Sequence, residues 1–378
     1  MFIQKADKAQ AETPSPDKTI FEKAFKVGFQ DPTNYVQELR EAVMKCSKES
    51  VTHYNYLAAI QFSGYGKTRS ILEFAKNCHH VYICFHKKDL SGYPKGTPKN
   101  EEMLEDLKKG KMVEECHVIA KKWIHSIITT FEHMTTSKDK NEESFWESVI
   151  QSTKEHKDIN AARHLIILFI DEASALLDTT NEKRNLKEKN RAFRGLCRAL
   201  HDFNDSVFAI LTDTNSLVAN LAPSIEQDIL ARNYDLRVHL PFIYIASTDS
   251  LEGNPELPSE SDNGHHIVHF GRPLWASTWL GYGSTKLPET KFAEIVTLAK
   301  FKLLGGIASR WVDIKKNEQL ARLAALAVLA SIAGLYVSPI SSVAPNLVKS
   351  HMATLIGLDE SHQRHLITYP SEPLLSEA

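Results

Sequence analysis

The segment that most constrains the fold of this chain is Gln61–Thr68, which reads QFSGYGKT. An apolar run at 56–60 precedes it, and a helix-like segment at 70–76 follows it. Strand, glycine-containing turn, Gly-Lys-Thr and helix, in that order, form the context of a phosphate-binding loop. The backbone N–H groups of such a turn surround an anion, and the helix N-terminus adds the positive end of its dipole. The segment therefore predicts a phosphate site.

Each residue type in this loop has a predicted task. Lys67 would reach the β- and γ-phosphates of a nucleotide, and the Thr68 hydroxyl would be a ligand of Mg²⁺. The other predicted nucleotide-binding residues of the loop are Ser63, Gly64, Tyr65, Gly66 and Arg69. The usual pattern begins with a glycine where this chain has Gln61. The alternative interpretation is a glycine-rich turn with a solvated lysine.

Length and composition limit the class of protein. The chain has 378 residues, which suits two or three domains. Its 42% hydrophobic and 24% charged residues are typical of a globular protein, and its net charge of −2 provides no overall positive field for nucleic acid. The five cysteines are scattered and form no Cys-x-x-Cys pair. This usage favours a reduced intracellular protein, cytoplasmic or nuclear.

No segment predicts a signal peptide or a membrane span. Residues 1–18 are polar and poor in large apolar side chains, so we expect them to be disordered. The most apolar run covers 323–337, which is shorter than the roughly 18 residues that a membrane helix needs. This run predicts a buried helix.

Apolar runs alternate with helix-like segments along the chain. The runs at 80–85, 164–170, 207–211 and 242–246 predict buried strands. Such alternation predicts an α/β fold, a P-loop NTPase with a parallel sheet flanked by helices and followed by a smaller helical lid. The predicted regions are a helical segment at 19–50, the NTPase core at 51–250, a loop and linker at 251–285, and the helical lid domain at 286–378.

Polar residues follow three of the predicted strands. The Gly-Lys-Thr sequence follows the first, Asp171 and Glu172 follow the run at 164–170, and Asn215 follows the run at 207–211. Ligands of parallel α/β sheets bind outside the carboxyl ends of the strands. We therefore expect these side chains to lie at one site.

Together these residue types predict phosphoryl transfer to water. Asp171 would hold Mg²⁺ together with Thr68, because hard cations prefer oxygen ligands. Glu172 would accept a proton from the attacking water or orient it, and Asn215 would contact the γ-phosphate. Arg232 is a candidate arginine finger, in cis or in trans, against the alternative of a structural salt bridge. No guanine-recognition motif is evident, so the predicted ligands are ATP and ADP with Mg²⁺.

Two other function classes stay open. A nucleotide-binding scaffold without turnover would explain Gln61 in place of glycine, whereas Glu172 favours an enzyme. A transposon-derived nucleic-acid-binding protein would use the basic stretch around Arg191, Arg194 and Arg198. The sequence also leaves open whether the chain forms a homo-oligomer or binds a protein partner. The histidine pairs at 79–80 and 265–266 lack a second ligand pair at metal-site spacing, so we interpret them as non-metal residues.

Several short motifs, in order, give a resemblance to known proteins. The sequence Gly271-Arg272-Pro273-Leu274 resembles the Gly-x-Pro motif of STAND-type nucleotide switches, in which the proline packs near the adenine. The set of motifs, over about residues 50–378, resembles the P-loop NTPase module of fungal Crinkler-like proteins. Its segments are 62–70, 92–94, 169–173, 213–216, 240–242, 271–274 and 369–373.

The resemblance implies an AAA/STAND-like ATPase core with a helical lid after the Gly-x-Pro motif. It also implies that Arg272 and Pro273 take part in nucleotide binding; a structural salt bridge is the alternative for Arg272. The sequence ends shortly after the motif at 369–373, so we expect no C-terminal nuclease module. We also see no Crinkler-type N-terminal translocation header.

Overall fold

The computed structural model describes most of the chain. The described residues are 18–28, 34–49, 53–61, 64–86, 96–136, 141–154, 165–177, 190–213, 237–243, 267–284, 286–306, 318–333, 337–338, 341, 343–359, 364–369 and 372–378. The segment predicted to be disordered, apart from its last residue, lies outside them.

A four-stranded parallel sheet forms the centre of the structure. Its strands are β1 (Tyr56–Ile60), β2 (His80–Cys84), β3 (Ile166–Asp171) and β4 (Val207–Asp213). The spatial order is β1-β4-β3-β2. The segment 237–243 runs along the other side of β1, where Phe242 forms a parallel bridge with Ala59. The predicted α/β fold with a parallel sheet is confirmed, and the carboxyl ends of β1, β4 and β3 lie side by side.

Burial explains why these apolar runs become strands. Every residue of β1, β3 and β4 is buried. Continuous apolar runs of this kind suit parallel strands that are covered on both faces. The strand β2 lies at the edge of the sheet, and its first and third residues, His80 and Tyr82, are only half-buried.

Twelve α-helices lie within the described residues. They are α1 (Lys18–Lys26), α2 (Tyr35–Lys48), α3 (Lys67–Ala75), α4 (Asn100–Lys109), α5 (Val113–Thr136), α6 (Glu142–Lys154), α7 (Arg191–Asp202), α8 (Pro273–Gly281), α9 (Pro288–Leu303), α10 (Glu318–Ala333), α11 (Ala344–Ser350) and α12 (Pro373–Glu377).

The helices α5 and α7 pack unusually closely. Gly195 of α7 faces Cys116 of α5, and a Cβ atom built on Gly195 would lie 2.6 Å from the Cys116 Cβ and 2.7 Å from its carbonyl carbon. Real Cβ atoms do not approach other atoms this closely, so the contact requires glycine. Close packing here fixes α7 against the rest of the α/β core.

The C-terminal region contains an antiparallel hairpin in addition to helices. Its strands are β5 (Thr354–Leu358) and β6 (His365–Thr368). The prediction of a helical region at 286–378 missed this hairpin, because strands of five and four residues are too short to show a clear period. The apolar run at 323–337 lies largely in α10, so the predicted helix is present, but it is not a buried helix. Its buried residues are Ala324, Ala327 and Ala330, whereas Leu329 and Ile332 are 55% and 67% exposed.

Both halves of the chain contribute to one buried apolar cluster. Tyr56 of β1 and Phe169 of β3 belong to it together with Trp275 of α8, Leu347 of α11 and Leu374 of α12. The C-terminal elements and the sheet therefore share one apolar core. In the part of the chain that the structure describes, no helix is both long and apolar enough to cross a membrane.

Candidate nucleotide site

The predicted phosphate loop connects β1 to α3. The helix begins at Lys67, and Gly66 precedes it with φ 79°. Gly64 has φ 95°, and a Cβ atom there would lie 3.0 Å from the Cβ of Leu274. Both glycines thus occupy backbone conformations that other residues rarely adopt. Phe62 and the predicted ligand Ser63 lie outside the described residues.

Lys67 is buried at the base of this loop, with 7% of its surface exposed. Its ammonium group donates a hydrogen bond to the carbonyl oxygen of Gln61. Burial lowers the pKa of Lys67 to about 8, although the carboxylates of Asp171, Glu172 and Asp213 oppose this shift. The buried ammonium group is thus suited to a phosphate anion, and the carboxylates near it are suited to a metal cation.

The Thr68 hydroxyl lies directly against Asp171. Its Oγ1 donates to Asp171 Oδ2 over 2.8 Å. The Thr212 hydroxyl donates to the other carboxylate oxygen over 2.7 Å, and the Tyr82 hydroxyl donates to Oδ2 over 2.9 Å. Hydroxyl donors from the two strands on either side of β3, and from α3, therefore fix one carboxylate. Thr68 and Asp171, predicted as metal ligands from separate parts of the sequence, are adjacent in space.

Glu172 follows β3 with a left-handed backbone, at φ 56°. This conformation is uncommon for a residue other than glycine, and it turns the chain at the end of the strand. Burial raises the pKa of Glu172 to about 7, and the negative charges of Asp213 and Asp171 add to the effect. A carboxyl group with this pKa can accept a proton near neutral pH.

Asp213 is a site residue that sequence reasoning missed. It ends β4 at 1% exposure, and its Oδ2 accepts a hydrogen bond from the backbone N–H of Ser174. It thereby ties β4 to the turn after Glu172. The polar ending of the strand was visible in the sequence, but no motif distinguishes Asp213 from the nearby Asn215. The predicted residues Asn215 and Arg232 lie outside the described part of the chain.

Arg69 points away from the loop. Its guanidinium donates hydrogen bonds to the carbonyl oxygens of Phe25 and Val27, at the end of α1. It also lies over the Phe25 ring, 5.3 Å from the centroid. Sequence spacing placed Arg69 in the nucleotide-binding set, whereas the structure brings its charged group to the carboxyl end of α1, where a cation is favourable.

Arg272 is buried in an ion pair. Its Nε donates to Glu372 Oε2 over 2.7 Å, and the pair is wholly removed from solvent. Its Nη2 also donates to the Met352 carbonyl over 3.1 Å, and its guanidinium lies 5.3 Å from the centroid of the Tyr65 ring. Pro273 is the first residue of α8. The guanidinium thus links the loop to the C-terminal region and is held by Glu372 rather than presented at the loop.

Gln61 makes a second link to the C-terminal region. Its side-chain Nε2 donates to the Leu355 carbonyl over 3.2 Å, and its Oε1 accepts from the Leu355 N–H over 3.3 Å. Tyr65 adds a hydrogen bond between its hydroxyl and Thr354 Oγ1, at 3.2 Å. The residue that replaces the expected glycine is therefore a buried connection to β5.

Two lysines from the C-terminal helices add positive charge to the site. Lys302 of α9 interacts electrostatically with Arg272 and Lys67, and burial together with these charges lowers its pKa to about 8. Lys349 of α11 opposes the raised pKa of Glu172. Sequence reasoning missed both residues, because neither belongs to a motif.

The basic residues of α7 serve helix packing. Arg198 donates to Glu114 of α5 over 3.1 Å, and Arg191 donates to the Lys111 carbonyl. The side chain of Arg198 is only 11% exposed. These contacts indicate that the arginines hold α7 against its neighbours, and they do not favour a role in nucleic-acid binding.

One other group of possible metal ligands occurs within the described residues, consisting of Glu49, His53 and His239. The two imidazole rings are stacked, with centroids 4.5 Å apart and an angle of 11° between their planes. Both imidazoles also lie beside the Glu49 carboxylate, 4.0 Å away for His53 and 3.8 Å away for His239. We therefore interpret the group as a stacked pair that ties the end of α2 to the segment 237–243.

Comparison with known proteins adds two family matches. Residues 30–158 match a family described as Domain of unknown function (DUF8735), and residues 315–378 match Domain of unknown function (DUF8736). No curated protein matches the chain significantly. The first family covers the loop together with α2 to α6, and the second covers α10 to α12 with the hairpin.

A solved structure of a Walker-type ATPase from Pyrococcus abyssi is similar to this chain. The similarity covers 93% of this chain and 98% of that one, with 12% sequence identity and a TM-score of 0.39. These values are too low to assign a function.

Proposed function

We propose that the chain binds Mg-ATP at the phosphate loop and hydrolyses it slowly, as a nucleotide-controlled switch. The observation that carries the proposal is the 2.8 Å hydrogen bond between Thr68 and Asp171. These residues are 103 positions apart in the sequence, and both were predicted as magnesium ligands. A hydroxyl and a carboxylate beside a buried lysine form the donor set expected for a magnesium–phosphate site.

The residues of the chain divide the chemistry among them. Lys67 and the N–H groups of residues 64–68 would bind the phosphates, and Thr68 with Asp171 would hold Mg²⁺, which neutralises charge on the phosphates. Glu172 would take a proton from water as the water oxygen attacks the γ-phosphorus and the bond to the leaving ADP breaks. Buried Lys67 would offset negative charge in the transition state.

ATP is the proposed nucleotide because the sequence lacks a guanine-recognition motif. Asn215 and Arg232 stay proposals for contacts with the γ-phosphate. The resemblance to Crinkler-like and STAND-type proteins likewise stays a proposal, and so does a role of Pro273 near the adenine. The nucleotide state would act through a protein partner or through contacts in a homo-oligomer.

A scaffold that binds nucleotide without turnover is the second candidate. The position of Gln61 favours it, because this residue holds the Lys67 ammonium and β5 together. Such a loop would bind phosphate while it resists the movements that turnover requires. Measurement of binding and turnover on the same protein distinguishes the two candidates.

The test combines Mg²⁺-dependent ATP turnover with equilibrium binding of a fluorescent ATP analogue. We expect Lys67→Ala to lose both, and Glu172→Gln to keep binding while turnover falls about 100-fold or more. Lys76→Ala, which removes an exposed lysine paired with Glu73, is the control and should match the unmodified protein. Binding without turnover in the unmodified protein would favour the scaffold, and no binding would overturn the proposal.

A further inference from the structure

The carboxylate of Asp171 accepts hydrogen bonds on both of its oxygens. Oδ1 accepts from the Thr212 hydroxyl over 2.7 Å and from the backbone N–H of Glu172 over 3.0 Å. Oδ2 accepts from the Thr68 hydroxyl over 2.8 Å and from the Tyr82 hydroxyl over 2.9 Å. Asp171 is also buried, so these donors do not compete with bulk water. The surrounding chain therefore sets the orientation of the carboxylate.

The two donors to Oδ2 belong to different parts of the fold. Thr68 is the second residue of α3, directly after the phosphate loop, and its hydroxyl is itself a proposed metal ligand. Tyr82 lies on β2, where it is paired with Phe169 of β3. Among the residues that the structure describes, Tyr82 is thus the donor that fixes Oδ2 to the sheet rather than to the loop helix.

The contact between Tyr82 and Asp171 requires a long side chain. Phe169 and Asp171 are two residues apart on β3, so their side chains lie on the same face of the sheet, about 6–7 Å apart along the strand. Tyr82 is in register with Phe169, and its phenol group spans this distance to bring the hydroxyl to Oδ2. Serine or threonine at this position would be too short to replace it.

Mg²⁺ and Ca²⁺ differ in how far they tolerate displaced ligands. Mg²⁺ requires an octahedral arrangement with oxygens at roughly 2.0–2.1 Å, whereas Ca²⁺ accepts about six to eight oxygens at roughly 2.3–2.6 Å in a flexible arrangement. A carboxylate with both oxygens fixed adapts poorly to the larger ion. Removal of the sheet donor to Oδ2 would give this oxygen more freedom, which favours Ca²⁺ relative to Mg²⁺.

We infer that Tyr82 is a positioning residue that makes the proposed metal site selective for Mg²⁺ over Ca²⁺, because it holds Oδ2 of Asp171. The inference rests on the proposed function and specifies which residue outside the loop determines the choice of metal. Tyr82 acts through Asp171 and is not itself a ligand. A merely structural tyrosine would change the affinities for the two cations equally.

The experiment measures the affinity of the full-length chain for a fluorescent, non-hydrolysable ATP analogue in Mg²⁺, in Ca²⁺ and in EDTA. We expect the unmodified protein to bind the analogue more tightly with Mg²⁺ than with Ca²⁺. In Tyr82→Phe the ratio of these affinities should fall about three- to tenfold, since partners that orient metal ligands affect metal affinity by about tenfold or more. Affinity in EDTA should stay within about twofold, because the loop itself is unchanged.

Tyr369→Phe is the matched control. Tyr369 is also buried, and its hydroxyl donates to the backbone carbonyl of His351 over 2.8 Å. This variant removes a tyrosine hydrogen bond of similar length that does not involve Asp171. Its ratio of Mg²⁺ to Ca²⁺ affinity should stay within about twofold of the unmodified value. An equal fall in both variants would overturn the assignment of selectivity to Tyr82.

The two proposals fail in different ways. If the unmodified protein prefers Mg²⁺ and Tyr82→Phe keeps the same preference, the inference is wrong and the nucleotide site stands. An unmodified protein without a preference for Mg²⁺ over Ca²⁺ would also overturn the inference. If Mg²⁺ gives no tighter binding than EDTA, the proposed metal site is wrong, and the inference fails with it.

A circular-dichroism melt of each variant verifies that it is folded. Tyr82→Phe keeps the aromatic ring, which packs against the apolar core. If it does not fold, Tyr82→Met, which also lacks a hydroxyl donor, provides the same comparison.

Discussion

Glu172 and Lys67 have pKa values displaced towards each other. Burial raises the pKa of the carboxyl group to about 7 and lowers that of the ammonium group to about 8. Burial penalises the charged form of both groups, and each charge partly stabilises the other. The proposed reaction needs Glu172 deprotonated and Lys67 protonated, so only a narrow pH range provides both.

We predict that kcat/KM for ATP has a bell-shaped pH profile with limbs near pH 7 and pH 8. Below about pH 7 Glu172 gains a proton and cannot act as a base, and above about pH 8 Lys67 loses its charge. The measurement is steady-state turnover from pH 5.5 to pH 9.5. Glu172→Gln should lack the acid limb. An acid limb near pH 4.5 would contradict the assignment of Glu172 as the base.

For individual residues, the sequence predicted the contacts that belong to a motif and missed those that do not. Thr68 and Asp171, both predicted to hold magnesium, lie in contact, and each stands at a characteristic place relative to a strand. Tyr82 and Thr212 were missed, although both donate to Asp171, because a hydroxyl in an apolar strand has no distinguishing pattern. Arg69 has the right position for the loop but points elsewhere, since spacing does not determine the rotamer of a long side chain.

Among the elements, the contact between α5 and α7 depends on the missing side chain of Gly195. We predict that Gly195→Ala lowers the free energy of unfolding by about 1–3 kcal/mol, because the added methyl group overlaps Cys116. Urea-induced unfolding measures this change.

An increase in the free energy of unfolding of Gly195→Ala would contradict this prediction. Alanine has a helix propensity about 1 kcal/mol better than glycine, so a stabilised Gly195→Ala would mean that the two helices are not closely packed. Gly28→Ala is the control, since a Cβ atom there would meet nothing within 4 Å. Its effect should lie within about 0.5 kcal/mol of zero.

The sequence predicted the strands that have long apolar runs and missed the short ones. Runs such as 164–170 and 207–211 became buried strands because only the interior of a sheet suits them. The hairpin of β5 and β6 was missed, because its alternation covers too few residues and its pairing contains an irregularity between Leu355 and Gly357.

In the whole molecule, the buried pair of Arg272 and Glu372 joins the region after the sheet to the C-terminal helix α12. We predict that Glu372→Gln lowers the free energy of unfolding by about 3–5 kcal/mol, because it removes the carboxylate charge that is paired with the buried Arg272 guanidinium. The loss should appear in urea-induced unfolding at pH 7.

A matched control exists in the exposed pair of Arg322 and Glu318. Its side chains are 77% and 79% exposed, so water already solvates both charges. Glu318→Gln should change the free energy of unfolding by less than about 1 kcal/mol. Equal effects of the two substitutions would contradict the structural importance of the buried pair. The sequence could not predict the partner of Arg272, because it lies 100 residues away.

The connection between Gln61 and Leu355 also has a consequence for how the protein is made. The two residues are 294 positions apart. At a synthesis rate of about 5–20 residues per second, Leu355 is added roughly 15–60 s after Gln61. Throughout that interval the nascent loop lacks its hairpin. The buried environment of Gln61 is therefore completed only after the C-terminal part of the chain has been made and the hairpin docks.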